Sequence, residues 1–155
     1  MMKFYLNGKE VETQAPSTMR LIDLLRDEFQ LIGPKEGCGE GECGTCSILV
    51  NDLLENSCLI PIGAIEGAEI ITIDGYCKTE QFQILSDCYS EAGAVQCGYC
   101  IPGMVMASAA LLAQNPHPTE DEIREGISGN LCRCTGYNMI VDAIGLAANK
   151  GVGLW

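Results

Sequence analysis

Glu36-Gly-Cys-Gly-Glu-Gly-Glu-Cys-Gly-Thr-Cys46 is the stretch that decides how this chain is read. It sets Cys38, Cys43 and Cys46 in the pattern C-x4-C-x2-C, and Cys58 follows after eleven intervening residues. That is the plant-type [2Fe-2S] spacing, with a shortened gap to the fourth thiolate. A di-iron cluster held by four thiolates is an anion that gains a further electron on reduction. It needs a tight loop whose backbone N–H groups point at the sulfurs. Gly37, Gly39, Gly41 and Gly44 permit the positive φ angles and close approach of such a loop. Structural zinc competes for the same residue type, but zinc sites pair cysteines two to four apart, twice over.

Composition supports a metal reading. Ten of 155 residues are cysteine, and thiols at that density form disulfides in oxidising compartments or bind metals in reducing ones. The opening Met1-Met2-Lys3-Phe4-Tyr5 has no apolar h-region and no small-residue cleavage site, so a cytoplasmic location with reduced thiols is expected. The longest apolar run, Gly103 to Ala113, is well short of the ~20 residues of a membrane span, and no membrane partner is expected. Nine Lys+Arg against 21 Asp+Glu give a formal charge of −12, and no basic stripe argues for nucleic acid. A hydrophobic share of 47% argues against a disordered acidic tail. The length fits one ordinary domain or two small ones.

Two kinds of periodicity divide the chain. Over the first 75 residues Phe4 and Leu6 alternate with polar neighbours, and Asn7-Gly8 signals a hairpin returning through Val11 and Thr13. Leu21, Ile22, Leu24, Leu25 and Phe29 predict a short helix. Ser47 to Val50 predicts a strand, Asn51-Asp52 a turn, and Glu69 to Ile73 a strand ended by Asp74-Gly75. From about residue 80 the spacing becomes helical. Phe82, Leu85 and Tyr89 share one face, and Ala92-Gly93 ends that helix. Pro102 suits the first turn of a second helix reaching about Leu112. Thr119 to Glu122 matches a capping box for a third helix bearing Ile123 and Ile127, and Asn138 is placed to cap a fourth. The fold class is therefore α+β: a small β roll with one helix, then a helical bundle. Between Ala92 and Thr119 there is no Asp, Glu, Lys or Arg. A helix apolar all round is buried all round, so a partner subunit or buried cofactor is expected to cover it.

A second set of cysteines lies in the helical half, in Gln96-Cys-Gly-Tyr-Cys100 and Asn130-Leu-Cys-Arg-Cys-Thr-Gly-Tyr137. Loops at helix ends leave unpaired backbone groups for a ligand. C-x2-C with a distant C-x-C is compatible with zinc, and a lone C-x-x-C with a redox dithiol. Beside the first constellation, a second cluster is the better reading.

Taken together, Glu36-Gly-Cys…Gly-Glu-Cys-Gly-Thr-Cys46, Gly93-Ala-Val-Gln-Cys-Gly-Tyr-Cys-Ile-Pro-Gly103 and Ser128-Gly-Asn-Leu-Cys-Arg-Cys-Thr-Gly-Tyr137 resemble the small iron–sulfur subunit of the xanthine oxidase family of molybdenum hydroxylases. The resemblance covers essentially the whole chain. It implies a β-grasp plant-type ferredoxin domain over 1–76 and an all-α four-helix-bundle domain over 77–155, each with one [2Fe-2S] cluster. Cys38, Cys43, Cys46 and Cys58 would hold the cluster facing the flavin, and Cys97, Cys100, Cys132 and Cys134 the one near molybdenum. Gln96 and Cys134 would also lie within hydrogen-bonding reach of the pterin, so the segment carrying Gln96 is expected to be buried between subunits. The implied partners are a large molybdopterin-binding subunit and a medium FAD-binding subunit, assembled as a dimer of heterotrimers or similar. Electrons would pass from molybdenum through the helical-domain cluster and the ferredoxin-domain cluster to FAD. A stand-alone two-cluster ferredoxin is the alternative of another class, and a zinc-stapled interaction module a third.

The remaining residues have plainer readings. Cys77 and Cys88 are expected to be small buried hydrophobes. His117 reads as a solvated turn residue, and Tyr99, Tyr137 and Trp155 as packing or interface residues. Arg133, between two thiols, is read as offsetting cluster charge or pairing with a partner's carboxylate. Thr45 stands where this family commonly has Ala, its hydroxyl expected either to donate to a sulfur or to face solvent.

Overall fold

The two halves of the Asn7-Gly8 turn take φ of +51° and +79°, the left-handed pair that a two-residue hairpin requires. They join β1 (Met2–Leu6) to β2 (Lys9–Thr13) in the computed structural model, which describes residues 1–155. A second hairpin, β3 (Ser47–Val50) with β4 (Leu53–Asn56), turns through Asn51-Asp52, again with both φ positive. Between the hairpins lies α1 (Leu21–Asp23), which widens into a π turn over Leu24–Glu28. Finally β5 (Glu69–Ile71) inserts parallel to β1 and antiparallel to β3, giving the order β2-β1-β5-β3-β4. This is the expected β-grasp. Phe4, Leu6, Ile48 and Ile70 of the sheet close on Leu21, Leu24 and Leu25 of the helical segment, all buried, and Phe29 meets Phe4 edge-on at 5.8 Å.

The strand expected to reach Ile73 stops at Ile71. Thr72 is fully buried, and its N–H donates to Asn7 Oδ1 at 2.9 Å while its hydroxyl donates to Asp74 at 3.1 Å. These bonds turn the backbone into α2 (Ile73–Tyr76), so Asp74 and Gly75 sit inside a helical turn and do not terminate a strand.

Helix α3 (Glu80–Glu91) is capped by Thr79 Oγ1, which accepts from Phe82 N–H at 3.1 Å, and Gly93 at φ +66° releases the chain beyond it. Helix α4 (Ile101–Gln114) carries Pro102 in its first turn, as expected. The capping box of α5 (Glu120–Gly126) forms as its sequence predicts, with Thr119 N–H donating to the Glu122 carboxylate at 2.7 Å. Helix α6 (Asn138–Lys150) departs from expectation, because Tyr137 and not Asn138 occupies its N-cap, at φ +73°. Asn138 is the first helical residue, and its side-chain oxygen accepts from Arg124 at 3.1 Å.

The charge-free helix is covered by its own chain. One side of α4 meets the helical core through Met104 and Leu112, with Leu85, Tyr89, Ile123, Ile140 and Ile144 around them. On the other side Met106 and Ala110 pack on Leu49 of β3, flanked by Ile71, Ile73 and Tyr76. The back of the β-grasp sheet thus supplies the cover that a partner or cofactor was expected to provide. No helix is long and apolar enough to cross a membrane.

Candidate metal centres

The loop between α1 and β3 curls around the Cys38 sulfur. Cys38 Sγ accepts from the N–H groups of Glu40 and Glu42, both at 3.3 Å, and Cys38 N–H donates to Cys43 Sγ at 3.4 Å. Amide donors favour thiolate over thiol. The Cys38 thiol is accordingly held down at about 7 by the N–H of Glu40 and those of Cys43 and Glu42. Space is tight as well, since a Cβ on Gly37 would lie 2.9 Å from Cys43 Sγ. Cys46, at the mouth of β3, and Cys58, beyond β4, are buried together against Ile22. Burial, followed by the adjacent Cys46 thiol, pushes Cys58 up to about 11. Four thiols gathered by one loop and its following hairpin, with main-chain N–H groups aimed at Cys38 and Cys43, form a donor set suited to a cationic iron centre.

Three residues outside the cysteine motif hold this loop. Arg20 grips Asp23 with two hydrogen bonds at 2.7 and 2.8 Å and also reaches the Glu36 carboxylate. Arg26 donates to the carbonyls of Pro34 at 2.7 Å and Ile32 at 3.1 Å. Asn56 donates to Gly41 carbonyl at 3.0 Å. The sequence reading missed all three. Thr45 is 6% exposed, and burial removes the solvent-facing option for its hydroxyl.

The second set assembles from two helix junctions. Cys97 and Cys100 lie between α3 and α4, with Cys100 at the N-cap of α4, and Cys132 and Cys134 lie between α5 and α6. The thiols meet crosswise, Cys100 with Cys132 and Cys97 with Cys134. Burial, then the Cys132 neighbour, pushes Cys100 up to about 12. For Cys132 burial acts in the opposite sense, yet the hydroxyl and N–H of Thr135 hold its thiol below the usual range. Cys97 and Cys134 are exposed, as is Gln96, which the chain itself does not bury. Cys88 is buried as expected, whereas Cys77 is exposed, its thiol directed at Asp74 carbonyl at 3.2 Å from the end of α2. None of the ten cysteines is in a disulfide.

The two sets are stitched together. Leu131 N–H donates to Cys43 carbonyl at 2.9 Å, and buried Asn130 Nδ2 donates to Gly44 carbonyl at 2.9 Å and Ser47 Oγ at 3.1 Å. Gly44, at φ +66°, has no room for a side chain, since a Cβ would lie 2.4 Å from Gly129 carbonyl.

The order of these two centres is that of two known domain families. Residues 4–62 match the family described as 2Fe-2S iron-sulfur cluster binding domain, and residues 72–145 match the [2Fe-2S] binding domain. The chain is 45% identical over 145 residues to the nicotinate dehydrogenase small FeS subunit of Eubacterium barkeri, covering 94% of this chain and 92% of that protein. It belongs to the small [2Fe-2S] subunits of the xanthine dehydrogenase-like oxidoreductases. The xanthine dehydrogenase iron-sulfur-binding subunit of Escherichia coli O157:H7 is 43% identical over 141 residues, covering 90% of this chain and 88% of that one. Among solved structures, quinoline 2-oxidoreductase from Pseudomonas putida 86 superposes with a TM-score of 0.89 at 41% identity, covering 97% of this chain and 96% of that chain. As a small [2Fe-2S] subunit, the chain is the iron–sulfur, electron-transferring part of an oxidoreductase complex.

Other residues that serve the centres left fainter marks in the sequence. Asn130, Thr135 and Tyr137 fall inside a quoted motif, but nothing in the motif states what they bind. Arg20 precedes an apolar helical run, where a cation is unhelpful to the helix dipole, and that mismatch was an available signal.

Proposed function

We propose that this chain relays electrons within a heteromeric molybdenum hydroxylase, with Cys38, Cys43, Cys46 and Cys58 holding one cluster and Cys97, Cys100, Cys132 and Cys134 the other. The observation that carries the reading is the 2.9 Å hydrogen bond from Leu131 N–H to Cys43 carbonyl. Cys43 belongs to one thiol set and Leu131 adjoins Cys132 of the other, so a single hydrogen bond closes a backbone route between them. Bound in these sets, the [2Fe-2S] clusters supply two one-electron sites. The chain's own residues fix their separation through the packing of Gly44 on Gly103, and they offset added negative charge with amide donors from Glu40, Glu42 and Thr135.

Docking completes the path. The exposed run Val95-Gln96-Cys97, with exposed Tyr99 and Cys134, is the face offered to a large molybdopterin-binding subunit, Gln96 and Cys134 being the residues presented to the pterin. Exposed Cys38, rimmed by Glu36, Glu40 and Glu42, is offered to a medium FAD-binding subunit. The ferredoxin-type unit spans 1–76 and the helical unit 77–155. The complex is cytoplasmic and assembles as a dimer of heterotrimers or similar. Substrate turnover takes place on the molybdopterin subunit.

Native purification tests this reading. The expected result is co-purification with a molybdopterin chain and a flavin chain, with about four irons per copy of this chain. In the Cys43→Ser complex, substrate should still reduce molybdenum while the flavin stays oxidised. Normal turnover in that variant, with one cluster signal missing, would overturn the path. A stable monomer that exchanges electrons with diffusing partners would favour the stand-alone carrier instead.

A further inference from the structure

Residues 132 to 137 close a small ring of hydrogen bonds. Cys132 N–H donates to Tyr137 Oη at 2.9 Å, and Tyr137 N–H donates to Thr135 Oγ1 at 3.3 Å. Thr135 Oγ1 lies 3.1 Å from Cys132 Sγ, and Thr135 N–H points at the same sulfur at 3.4 Å. A hydroxyl has one proton to give and two lone pairs to receive. Because Thr135 Oγ1 already accepts from Tyr137, its proton is free to be aimed at the Cys132 sulfur. The ring is held at a cost, since Tyr137 takes φ +73°, a conformation that a bulky L-residue adopts only when its surroundings enforce it.

The first thiol set has no counterpart to this hydroxyl. Its N–H···S contacts, from Glu40 and Glu42 to Cys38 and from Cys38 to Cys43, are all main-chain. Among the hydrogen bonds that donate to a cysteine of either set, Thr135 is the one whose donor is a side-chain hydroxyl. We infer that Thr135 sets the reduction potential of the helical-domain cluster relative to the ferredoxin-domain cluster through its O–H···S bond to Cys132. One-electron reduction adds one negative charge, with no bond made or broken. The proton remains on Thr135 Oγ1, and the electron comes from the reductant used in the titration. A donor aimed at a ligand sulfur stabilises the more negative state more, so it raises the potential. Tyr137 positions the hydroxyl by occupying its acceptor side. Both roles rest on Cys132 being a cluster ligand.

The test is an EPR-monitored redox titration of the full chain as purified, comparing wild type with Thr135→Val, Thr135→Ala and Thr135→Ser. Cys132→Ala identifies the second cluster's signal by its loss, and retention of both signals in that variant would refute the ligand reading itself. Thr135→Val and Thr135→Ala are expected to lower the second midpoint alone, by roughly tenfold in the reduction equilibrium constant, or about 59 mV for one electron. Thr135→Ser, which keeps the hydroxyl, should stay at the wild-type value. Midpoints unchanged in Val and Ala would overturn the inference, as would equal shifts of both clusters. Should Val fail to load iron, the Ala and Ser pair decides by the same criterion. Failure of both hydroxyl-free variants to load, with Ser loading normally, also overturns it, because the hydroxyl would then be holding the loop rather than setting a potential.

Discussion

The hydroxyl of Tyr99 donates to the backbone carbonyl of Glu36 at 2.7 Å, although 63 residues separate them. Tyr99 lies between two thiols of one set, and Glu36 stands two residues before the first thiol of the other. With Leu131 on Cys43 and Asn130 on Gly44, this makes three polar ties between the ligand loops. An electron relay depends on a fixed distance between its sites, and all three ties act on that distance.

Tyr99→Phe removes one tie and little else. Tyr99 is 51% exposed, so the loss should fall at the low end of a hydrogen bond's net worth, about 0.5 kcal/mol. Both clusters should load normally. Thermal unfolding and iron content check this, and loss of a cluster would show that the tie is needed for assembly.

Asn130 should matter more. It is 4% exposed, and truncation removes its two bonds in a dry junction, to the Gly44 carbonyl and to Ser47 Oγ, while the carbonyl keeps the N–H and hydroxyl of Ser47 as donors. Each lost hydrogen bond is worth about 0.5–1.5 kcal/mol net, and Asn130 makes two. Asn130→Ala should therefore lower the denaturant midpoint and slow electron transfer between the clusters in rapid-mixing experiments. Ser47→Ala removes the 3.1 Å acceptor of Asn130 and the 2.6 Å donor to the Gly44 carbonyl but leaves Asn130 bound to that carbonyl, so it should slow transfer less than Asn130→Ala.

These residues mark where sequence reading stops. The Asn7-Gly8 hairpin and the Thr119–Glu122 box are local signals, each complete within a dozen residues, and each forms as read; the glycine-rich loop of the C-x4-C-x2-C stretch likewise turns main-chain N–H groups toward Cys38 and Cys43. The cover of α4 was misassigned because the face that buries Met106 belongs to Leu49, a strand residue far earlier in the chain. Asn130 binds Gly44 across 86 residues, a relation that no periodicity encodes. Asn138 misled for a different reason: it has the right residue type for a cap, but the Tyr137 bond to Cys132 fixes where the helix starts.

Gly103 tests the contact between the two units by size alone. It lies in the first turn of α4, and a Cβ there would fall 2.4 Å from Gly44 carbonyl and 3.0 Å from Thr45 carbonyl. Backbone cannot yield as a side chain can, so Gly103→Ala should destabilise by about 1–3 kcal/mol through overpacking. Calorimetry should show it as a lowered or split transition as the β-grasp and helical units lose their common seam.

Iron counting separates ligands from bystanders. Cys43→Ser should remove about half of the iron and acid-labile sulfide and leave the other cluster's signal intact. Cys77→Ser should retain all of both, since Cys77 is exposed at the end of α2 and directed at Asp74 carbonyl. Iron loss in Cys77→Ser would contradict the division of ten cysteines into two sets of four and two others.

The last prediction concerns the pairing of Lys150, near the end of α6, with Glu91 at the end of α3. Lys150 Nζ donates to the Glu91 carboxylate, which raises the ammonium's pKa above its ordinary 10.5. A raised folded-state pKa means that the native state binds this proton more tightly than the unfolded chain does. The stabilisation is therefore fully present below 10.5 and is lost as pH rises through the higher folded value. Lys150→Met should be slightly less stable than wild type at pH 8, by the small amount expected of an exposed pair. The gap should close as pH rises through the raised folded-state value, where the wild-type ammonium is itself discharged. Urea midpoints of both proteins along a series from pH 8 upward decide it, and a gap that is constant with pH would assign Lys150 to packing along α6 rather than to charge.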